Sequence, residues 1–448
     1  MELNVKKIFN ANERLKLFDS SEPVRRKFGY LEGTNVGRTL MFLKLKTAAA
    51  ALALTATGAL AGDLVINFDD LNPGPKKGFD DAVAQFQKEN PDINVIVNNN
   101  DREAHKTAIR NFLSADAPDV TSWYPGNRMA PFVDAGLFES IDDVWEENGF
   151  NEDLAAIKAT MSRDGKIWGV PYSYYQWGIY YRKDVFDLLK LEEPKTWDEL
   201  LAACGTMKSN GVTPFTIGTK FLWTAAGVFD YLNLRTNGYE VHNDLTAGKI
   251  KYTDPRIVQT FENRKTLIDE CGFVENHASM SWQDAIAPFA NGDAAMYVMG
   301  NFSVDGYKNA GLTEDQIDFM PFPTIDPDVP LAEEAPADAF FIPTNAKNKE
   351  DAKKFLAFVA RADVQTQWNK TIGQLPINAK AEISDDKFIQ EGFALLNSAT
   401  GIAQFYDRDA PAAMAKAGME GFQEFMLDTS KMTAVLERLD QVQTEVYK

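Results

Sequence analysis

Between Leu64 and Phe138 the chain alternates between two hydrophobic periods, and this alternation restricts the possible folds more than any other feature. LVINF (64–68) is a β-rich apolar run. GFDDAVAQFQKENP follows, with Phe79, Val83 and Phe86 at helical spacing and a stop at Asn90-Pro91. INVIV (93–97), β-branched apart from Asn94, predicts a second strand. EAHKTAIRNFLSADAP then places Ala108, Ile109, Phe112 and Leu113 on one helical stripe that ends near Pro118. DVTSWY (119–124) predicts a third strand, and a shorter helix runs through Phe132 and Phe138. Such a βαβαβ run requires a largely parallel sheet with helices on its faces.

In sheets of this kind ligands bind beyond the carboxyl ends of the strands. The segments expected there are Asp69-Asp70-Leu71-Asn72, Asn98-Asn99-Asn100-Asp101 and Trp123-Tyr124-Pro125-Gly126-Asn127-Arg128. Asn, Asp and Gly make turns for purely conformational reasons, which is the simpler account of any one segment. Three such loops converging on one edge point to a site for a polar ligand.

A second feature follows at GVPYSYYQWGIYYRKD (169–184), which holds Tyr172, Tyr174, Tyr175, Trp177, Tyr180 and Tyr181. Read as a strand, it carries Tyr172, Tyr174 and Tyr180 on one face and Tyr175, Trp177 and Tyr181 on the other. A core strand favours Val, Ile and Leu, which bring no hydroxyl needing a partner. Rings on both faces suit a strand that crosses between two bodies beside a cleft. Downstream, WDELLAACGTMKSNGV predicts an amphipathic helix, TPFTIG (213–218) a short strand, and a helical region holds Trp223, Phe229 and Tyr231. Helices are expected near 255–270 and 282–290, and strands at AAMYVMGN (294–301) and ADAFFIP (337–343). A Pro- and acid-rich connector spans 321–337, KEDAKKFLAFVARADVQTQW is amphipathic, and the C-terminal part reads as mostly helical. Neither internal repeats nor low-complexity tracts occur.

At 448 residues, 45% hydrophobic and 25% charged, the chain is long enough for two or three domains. MFLKLKTAAAALALTATGALAG, from Met41, has the form of a secretory signal: lysines, a short apolar run, then Ala59-Leu60-Ala61. The expected mature chain begins at Gly62, with 41–61 as signal peptide and 1–40 as an extension reflecting a misplaced start site. The first 61 residues hold 10 of the 46 Lys+Arg and 5 of the 65 Asp+Glu, leaving 36 against 60 in the remainder. So acidic a surface repels nucleic acid and anionic lipid. Cys204 and Cys271 are compatible either with a disulfide in an oxidising compartment or with separate buried thiols.

In order along the chain stand "F…ENP…I.V", "APDV" before an aromatic residue (Ala117 to Trp123), "GLFESIDD", "DGKIWGVPY", "YYRKDVF", "PKTWDEL", "ANGDAAMYVMGN" and "IPTNAKNKEDAKKFLAF". This ordered set resembles family 1 of the bacterial extracellular solute-binding proteins, the maltose-binding-protein-like carbohydrate receptors of ABC importers. The likeness covers essentially all of 62–448, and residues 1–40 have no counterpart in the pattern. It implies an α/β fold of two lobes, periplasmic-binding-protein-like (class II), joined by a hinge with the ligand between them. The first lobe would comprise 62–172 and 336–376, and the second 173–335 and 377–448. It further implies a monomeric periplasmic receptor, without cofactor, metal or catalytic residues, that delivers a mono- or oligosaccharide to the permease subunits of the inner membrane.

A pyranose has apolar C–H faces and a rim of hydroxyls, so its site needs flat rings together with carboxylates, amides or Arg. Trp145, Trp168, Trp197 and Trp368 fall in framework motifs or helix patterns and are assigned to packing. Trp123, Trp177, Trp223 and Trp282 lie at strand ends or loop edges and are candidates for the sugar faces, with Tyr124 and Tyr175 beside them. For the hydroxyls the candidates are Asp70, Asp101, Asn127, Asn301 and Asp338, the last placed by the resemblance at the start of the returning strand. Arg408 lies in FYDRDAP (405–411), a polar interruption that could reach the cleft; Arg128 is a weaker candidate.

The rival class is an exported glycoside-active enzyme, which needs a positioned carboxylate pair. Neither a G-x-S-x-G elbow nor a phosphate loop is present. His105, His242 and His277 show no metal-type spacing. Within the receptor class the alternative ligand is another polar solute or a cation held in a cage of rings.

Overall fold

The computed structural model describes residues 62–448, so the signal-like segment and the extension before it lie outside the described residues. The chain begins one lobe with β1 (Leu64–Phe68), α1 (Pro73–Glu89), β2 (Val95–Asn99), α2 (Arg102–Ala115), β3 (Val120–Trp123) and, after several short helices and a small hairpin, β4 (Gly169–Tyr174). It crosses to build a second lobe from β5 (Trp177–Arg182), α3 (Trp197–Ser209), β6 (Thr213–Thr216), α4 (Trp223–Thr246), α5 (Pro255–Thr266), β7 (Ala294–Gly300) and β8 (Ile317–Met320). Past β9 (Ala332–Glu334) it returns to the first lobe as β10 (Ala337–Phe341), α6 (Lys349–Val359) and α7 (Ala362–Ile372). It ends on the second with α8 (Lys387–Ser398), β11 (Gly401–Ala403), α9 (Tyr406–Asp409), α10 (Ala412–Leu427) and α11 (Met432–Val446).

The first sheet has the order β2-β1-β3-β10-β4. β1 pairs parallel with β2 (Leu64 opposite Val95) and with β3 (Ile66 opposite Val120), as the βαβαβ pattern requires. β10 runs antiparallel between β3 and β4. An antiparallel strand starts at the edge where its parallel neighbours end, so Asp338 sits at the same edge as the loops after β1, β2 and β3. The second sheet has the order β8-β5-β7-β6. β6 and β7 are parallel, and Trp177 at the start of β5 stands opposite Gly300 at the end of β7. Both sheets therefore present their loop-bearing edges to the gap between the lobes.

Each lobe has its own aromatic core. Phe68 and Phe79 stack at 4.1 Å in the first, beside Phe340, Phe355 and Trp368. In the second, Phe229 stacks on Phe422 at 4.1 Å beside Phe261 and Tyr406. Helix starts follow side-chain chemistry: Asp101 accepts from the Glu103 and Ala104 amides to cap α2, and Thr196 forms a capping box with Glu199 ahead of α3. Cys204 in α3 and Cys271 just beyond α5 form a disulfide with Cα atoms 4.9 Å apart, which resolves the alternative left open by their spacing.

The aromatic stretch 169–184 is two strands in two sheets, not one continuous strand; it breaks at Tyr175-Gln176. This crossing is braced by other passes of the chain. Tyr174 and Leu375 exchange backbone hydrogen bonds of 2.9 and 3.0 Å, and Gln176 Nε2 donates to Phe388 O at 2.8 Å. The strand expected at 93–97 lies two residues later, because Val95–Asn99 is the stretch that registers with β1. Within the connector 321–337, Ala332–Glu334 forms a short parallel pair with Gly401–Ala403.

Candidate functional site

The gap between the lobes is a cleft of about 1020 Å³, counting the solvent in its mouth. One wall is polar and built on the first sheet. After β1, Asp69 is fully enclosed: its carboxylate accepts from Ser122 Oγ at 2.6 Å and from Tyr124 OH at 3.2 Å. Burial pushes Asp69 up, but Arg102, His105 and the Ser122 hydroxyl outweigh it and hold the carboxyl below its ordinary value. Asp70 next to it accepts from the Asn72 amide at 2.8 Å and from Arg102 Nη2 at 2.8 Å. There burial wins over Arg102, and the Asp70 pKa is raised.

Arg102, in the first turn of α2, connects this wall. Its Nη1 donates to Tyr124 OH at 3.3 Å and lies 4.0 Å from Asp338 Oδ2. Arg408 enters from the opposite lobe on α9. It donates to Asp338 Oδ1 at 3.1 Å, to Tyr175 OH at 3.2 Å and to Ala337 O, and its guanidinium lies 4.4 Å over the Tyr124 ring. Lys106, one turn along α2, donates to Glu103 at 2.9 Å, and burial lowers its pKa. Each of these three cations thus has a carboxylate partner. Asp70, Asp101, Glu103, Asp338 and Asp407 border the same space, so acids outnumber bases.

The other wall is aromatic and comes from the second lobe. Trp223 begins α4, Trp282 lies in the turn before the short helix Ile286–Ala290 that precedes β7, and Phe302 follows β7. Trp282 meets Phe302 edge-on at 5.3 Å, and Trp177 meets Trp223 edge-on at 6.0 Å and Phe405 at 5.1 Å. Trp223, Trp282 and Phe302 are half-buried, whereas Trp177 is only 2% exposed and forms a layer beneath them.

Nine of the twelve candidate residues border the cleft: Asp70, Asp101, Tyr124, Tyr175, Trp177, Trp223, Trp282, Asp338 and Arg408. The other three are placed elsewhere. Trp123, the last residue of β3, does not border the cleft: its ring lies 5.1 Å from that of Tyr124 and packs edge-on against Phe132, with its Nε1 donating to Arg128 O. Asn127 bridges the lobes by donating from Nδ2 to Asp409 O at 2.5 Å. Asn301 accepts from Tyr180 OH at 2.6 Å and donates to Gly373 O, so both ends of its amide are committed to the scaffold. Arg128 lies over the Trp123 ring and near Asp407. Arg102, Lys106, Phe302, Phe405 and Asp407 border the cleft without having been singled out. The first two had a signal, since i, i+4 places both on one face at the start of the capped helix. Among the described residues no His/Cys/Asp/Glu group is arranged to hold a metal ion.

Two α/β lobes that pass the chain between them and face each other across an enclosed cleft define a solute receptor. The family model for bacterial extracellular solute-binding proteins matches residues 72–366, and the chain belongs to that family. It is an extracellular solute-binding protein of an ABC transporter. A similar relative is an uncharacterised ABC transporter extracellular-binding protein of Pyrococcus horikoshii, 26% identical over 71% of this chain and 73% of the relative. The multiple sugar-binding protein of Streptococcus mutans is 25% identical over 68% of this chain and 72% of its own. Among solved structures, the bacterial solute receptor AcbH, described as having an exclusive preference for β-D-galactopyranose, superimposes with a TM-score of 0.81 at 27% identity. That match covers 87% of this chain and all of AcbH.

Proposed function

We propose that the cleft captures a neutral sugar and that the loaded protein delivers it to the permease of an ABC importer. The observation that carries this reading is the opposition of two walls: half-buried rings from the second lobe on one side, and on the other a dense network of carboxylates and guanidiniums on the first lobe, which Arg408 of the second lobe joins. Rings cover the C–H faces of a pyranose, and the charged network takes its hydroxyls through charge-assisted hydrogen bonds. Because Arg102, Arg408 and Lys106 are each paired, no cation among the described residues that border the cleft is left over for a phosphate or carboxylate on the ligand, and the acidic surplus repels one. Asp70 and Asp338 are likewise held by guanidiniums, an arrangement suited to holding a ligand and not to moving protons on it. Binding both walls at once favours closure of the lobes. We further infer a monomer, exported by the signal-like segment 41–61 to the periplasm.

The test is a thermal-shift screen with D-galactose, raffinose, chitobiose, choline and galactose 6-phosphate. A ligand present at about 100 Kd adds about 2.7 kcal/mol of stability. A shift with a neutral sugar and none with the phosphorylated one is expected. A shift with choline alone would replace the sugar by a cation in a ring cage, and a shift with the phosphate alone would overturn the charge argument.

A further inference from the structure

The ring wall stands on two loops that touch along their backbones. Residues 218–223 carry Phe221 and Trp223, and residues 277–283 carry Trp282. Thr219 N–H donates to His277 O at 2.8 Å and Lys220 N–H to Met280 O at 3.0 Å. Gly218 is the closest point of this seam. A Cβ there would lie 2.0 Å from Ser281 O, 2.5 Å from the Ser281 carbonyl carbon and 2.9 Å from Met280 O. All three are backbone atoms, which cannot swing aside as the end of a side chain can. From the other side Thr224 Oγ1 donates to Gly218 O at 2.6 Å and ties the seam to the first turn of α4.

The loop leaves the seam through an unusual elbow. Leu222 has φ 71° and ψ −42°, and Trp223 N–H donates to Phe221 O at 2.9 Å. This is a γ-turn with positive φ, a strained conformation for a branched L-residue and one that persists only where its surroundings enforce it. On the facing loop Asn276 also has positive φ, at 59°, just before the His277 carbonyl that Thr219 meets. Gly218 itself does not border the cleft.

We propose that Gly218 is a positioning residue whose close approach to the Ser281 carbonyl sets the distance between the Phe221–Trp223 elbow and Trp282. It thereby fixes the spacing of the ring faces offered to a ligand. This rests on the reading of the cleft as a sugar site. Substituting alanine forces the two backbones apart, and because the rings ride on those backbones the displacement reaches the cleft wall without any change to a residue that borders it.

The experiment uses the full mature chain labelled with 5-fluorotryptophan, comparing wild type with Gly218→Ala. Gly205→Ala serves as control, since a Cβ at Gly205 in α3 meets nothing within 4 Å. Trp223→Phe and Trp282→Phe assign the two fluorine lines. In the ligand-free protein Gly218→Ala should move or double the Trp223 and Trp282 lines and leave those of Trp145 and Trp368 in the first lobe unchanged. Calorimetry with D-galactose and raffinose should show binding to Gly218→Ala weakened by about tenfold or more, as expected when a site loosens by a fraction of its contact distance. Unmoved fluorine lines overturn the proposal, and so do moved lines with unchanged affinity. A lower melting temperature with both unchanged would make Gly218 purely structural. Should Gly218→Ala not fold, Leu222→Gly adds no atom and should broaden the Trp223 line alone; a line as sharp as wild type would overturn the proposal. If the wild type binds none of the neutral sugars of the thermal-shift screen, the sugar assignment fails, and the fluorine lines still decide whether Gly218 sets the wall.

Discussion

Trp177→Ala and Trp223→Ala should have opposite consequences, although both rings border the cleft and meet edge-on at 6.0 Å. Trp177 is 2% exposed. Its six-membered ring lies so close to Gly227 that a Cβ on that glycine would be 2.6 Å from it, and Phe405 covers it at 5.1 Å. Removing a fully enclosed indole costs about 3–5 kcal/mol, because the walls around it collapse only in part. At about 2–4 °C per kcal/mol for a lobe of this size, the ligand-free protein should melt roughly 6–20 °C lower. Trp223 is half-buried at the start of α4, and its exposed face is available to a sugar. Its loss removes a stacking contribution of about 0.5–1.5 kcal/mol and apolar contact area at about 25 cal/mol per Å², together about 2–3 kcal/mol. Affinity for the bound sugar should therefore fall about 30- to 150-fold. Its ligand-free melt should shift much less than that of Trp177→Ala. Differential scanning calorimetry of both ligand-free variants, paired with titration calorimetry, separates the two effects. A Trp177→Ala protein melting within about 2 °C of wild type would refute the inference from burial. An unchanged affinity of Trp223→Ala would show that the sugar does not rest on this wall.

Asp338→Asn should destabilise the protein by about 3 kcal/mol in urea denaturation, because Arg408, buried beside it at 3.1 Å, then loses the carboxylate it is hydrogen-bonded to and keeps only neutral acceptors, Tyr175 OH and Ala337 O. Adding Arg408→Met should recover part of the loss, and failure to recover any would show that Asp338 acts otherwise. Burial raises the Asp409 carboxyl from 3.8 to about 6, so the folded chain holds this proton more tightly than the unfolded one. That contribution favours folding below about pH 4 and is withdrawn as the pH rises to 6. The stability of Asp409→Asn relative to wild type should therefore improve by about 2–3 kcal/mol between pH 4 and pH 7, and equal differences at both pH values would refute it. Replacing both Cys204 and Cys271 by serine should cost about 4 kcal/mol, from the chain entropy released by opening a loop with ends 67 residues apart. Unfolding curves of the double variant without reductant check this, and a loss well under 1 kcal/mol would count against the entropic account.

Periodicity made the first lobe legible. Alternating apolar runs with helical stripes between them dictate parallel strands, and parallel strands dictate that the loops holding Asp70, Asp101 and Tyr124 share one edge. The misses have local causes. Trp123 and Tyr124 are adjacent and their rings lie 5.1 Å apart, and composition does not say which of the two reaches the cleft. Trp177 and Trp223 look alike in sequence; the close packing of Gly227 and Gly300 against Trp177 makes that ring the buried layer. Arg102 and Lys106 share one face at the start of a capped helix, but the polar face of an amphipathic helix normally meets solvent, so that spacing alone does not mark them as cleft residues. The pairing of Ala332–Glu334 with Gly401–Ala403 joins segments three residues long and far apart, too short for any pattern to announce. The disulfide was undecidable because burial and pairing make the same demands on a cysteine.

The position of β10 bears on how the chain can be made. Residues 337–341 insert between β3 and β4, whose residues all precede Tyr175. During synthesis or export from the amino end, the first lobe therefore waits with two unpaired strand edges while more than a hundred residues of the second lobe emerge. Open edges invite pairing with other chains, and contacts between segments so far apart in sequence form slowly. For a chain emerging from its amino end, this topology withholds β10, the strand between β3 and β4, until the whole second sheet has emerged. For the same reason a fragment ending near residue 176 lacks the strand that joins its halves, so the lobe is a unit in space without being one along the chain.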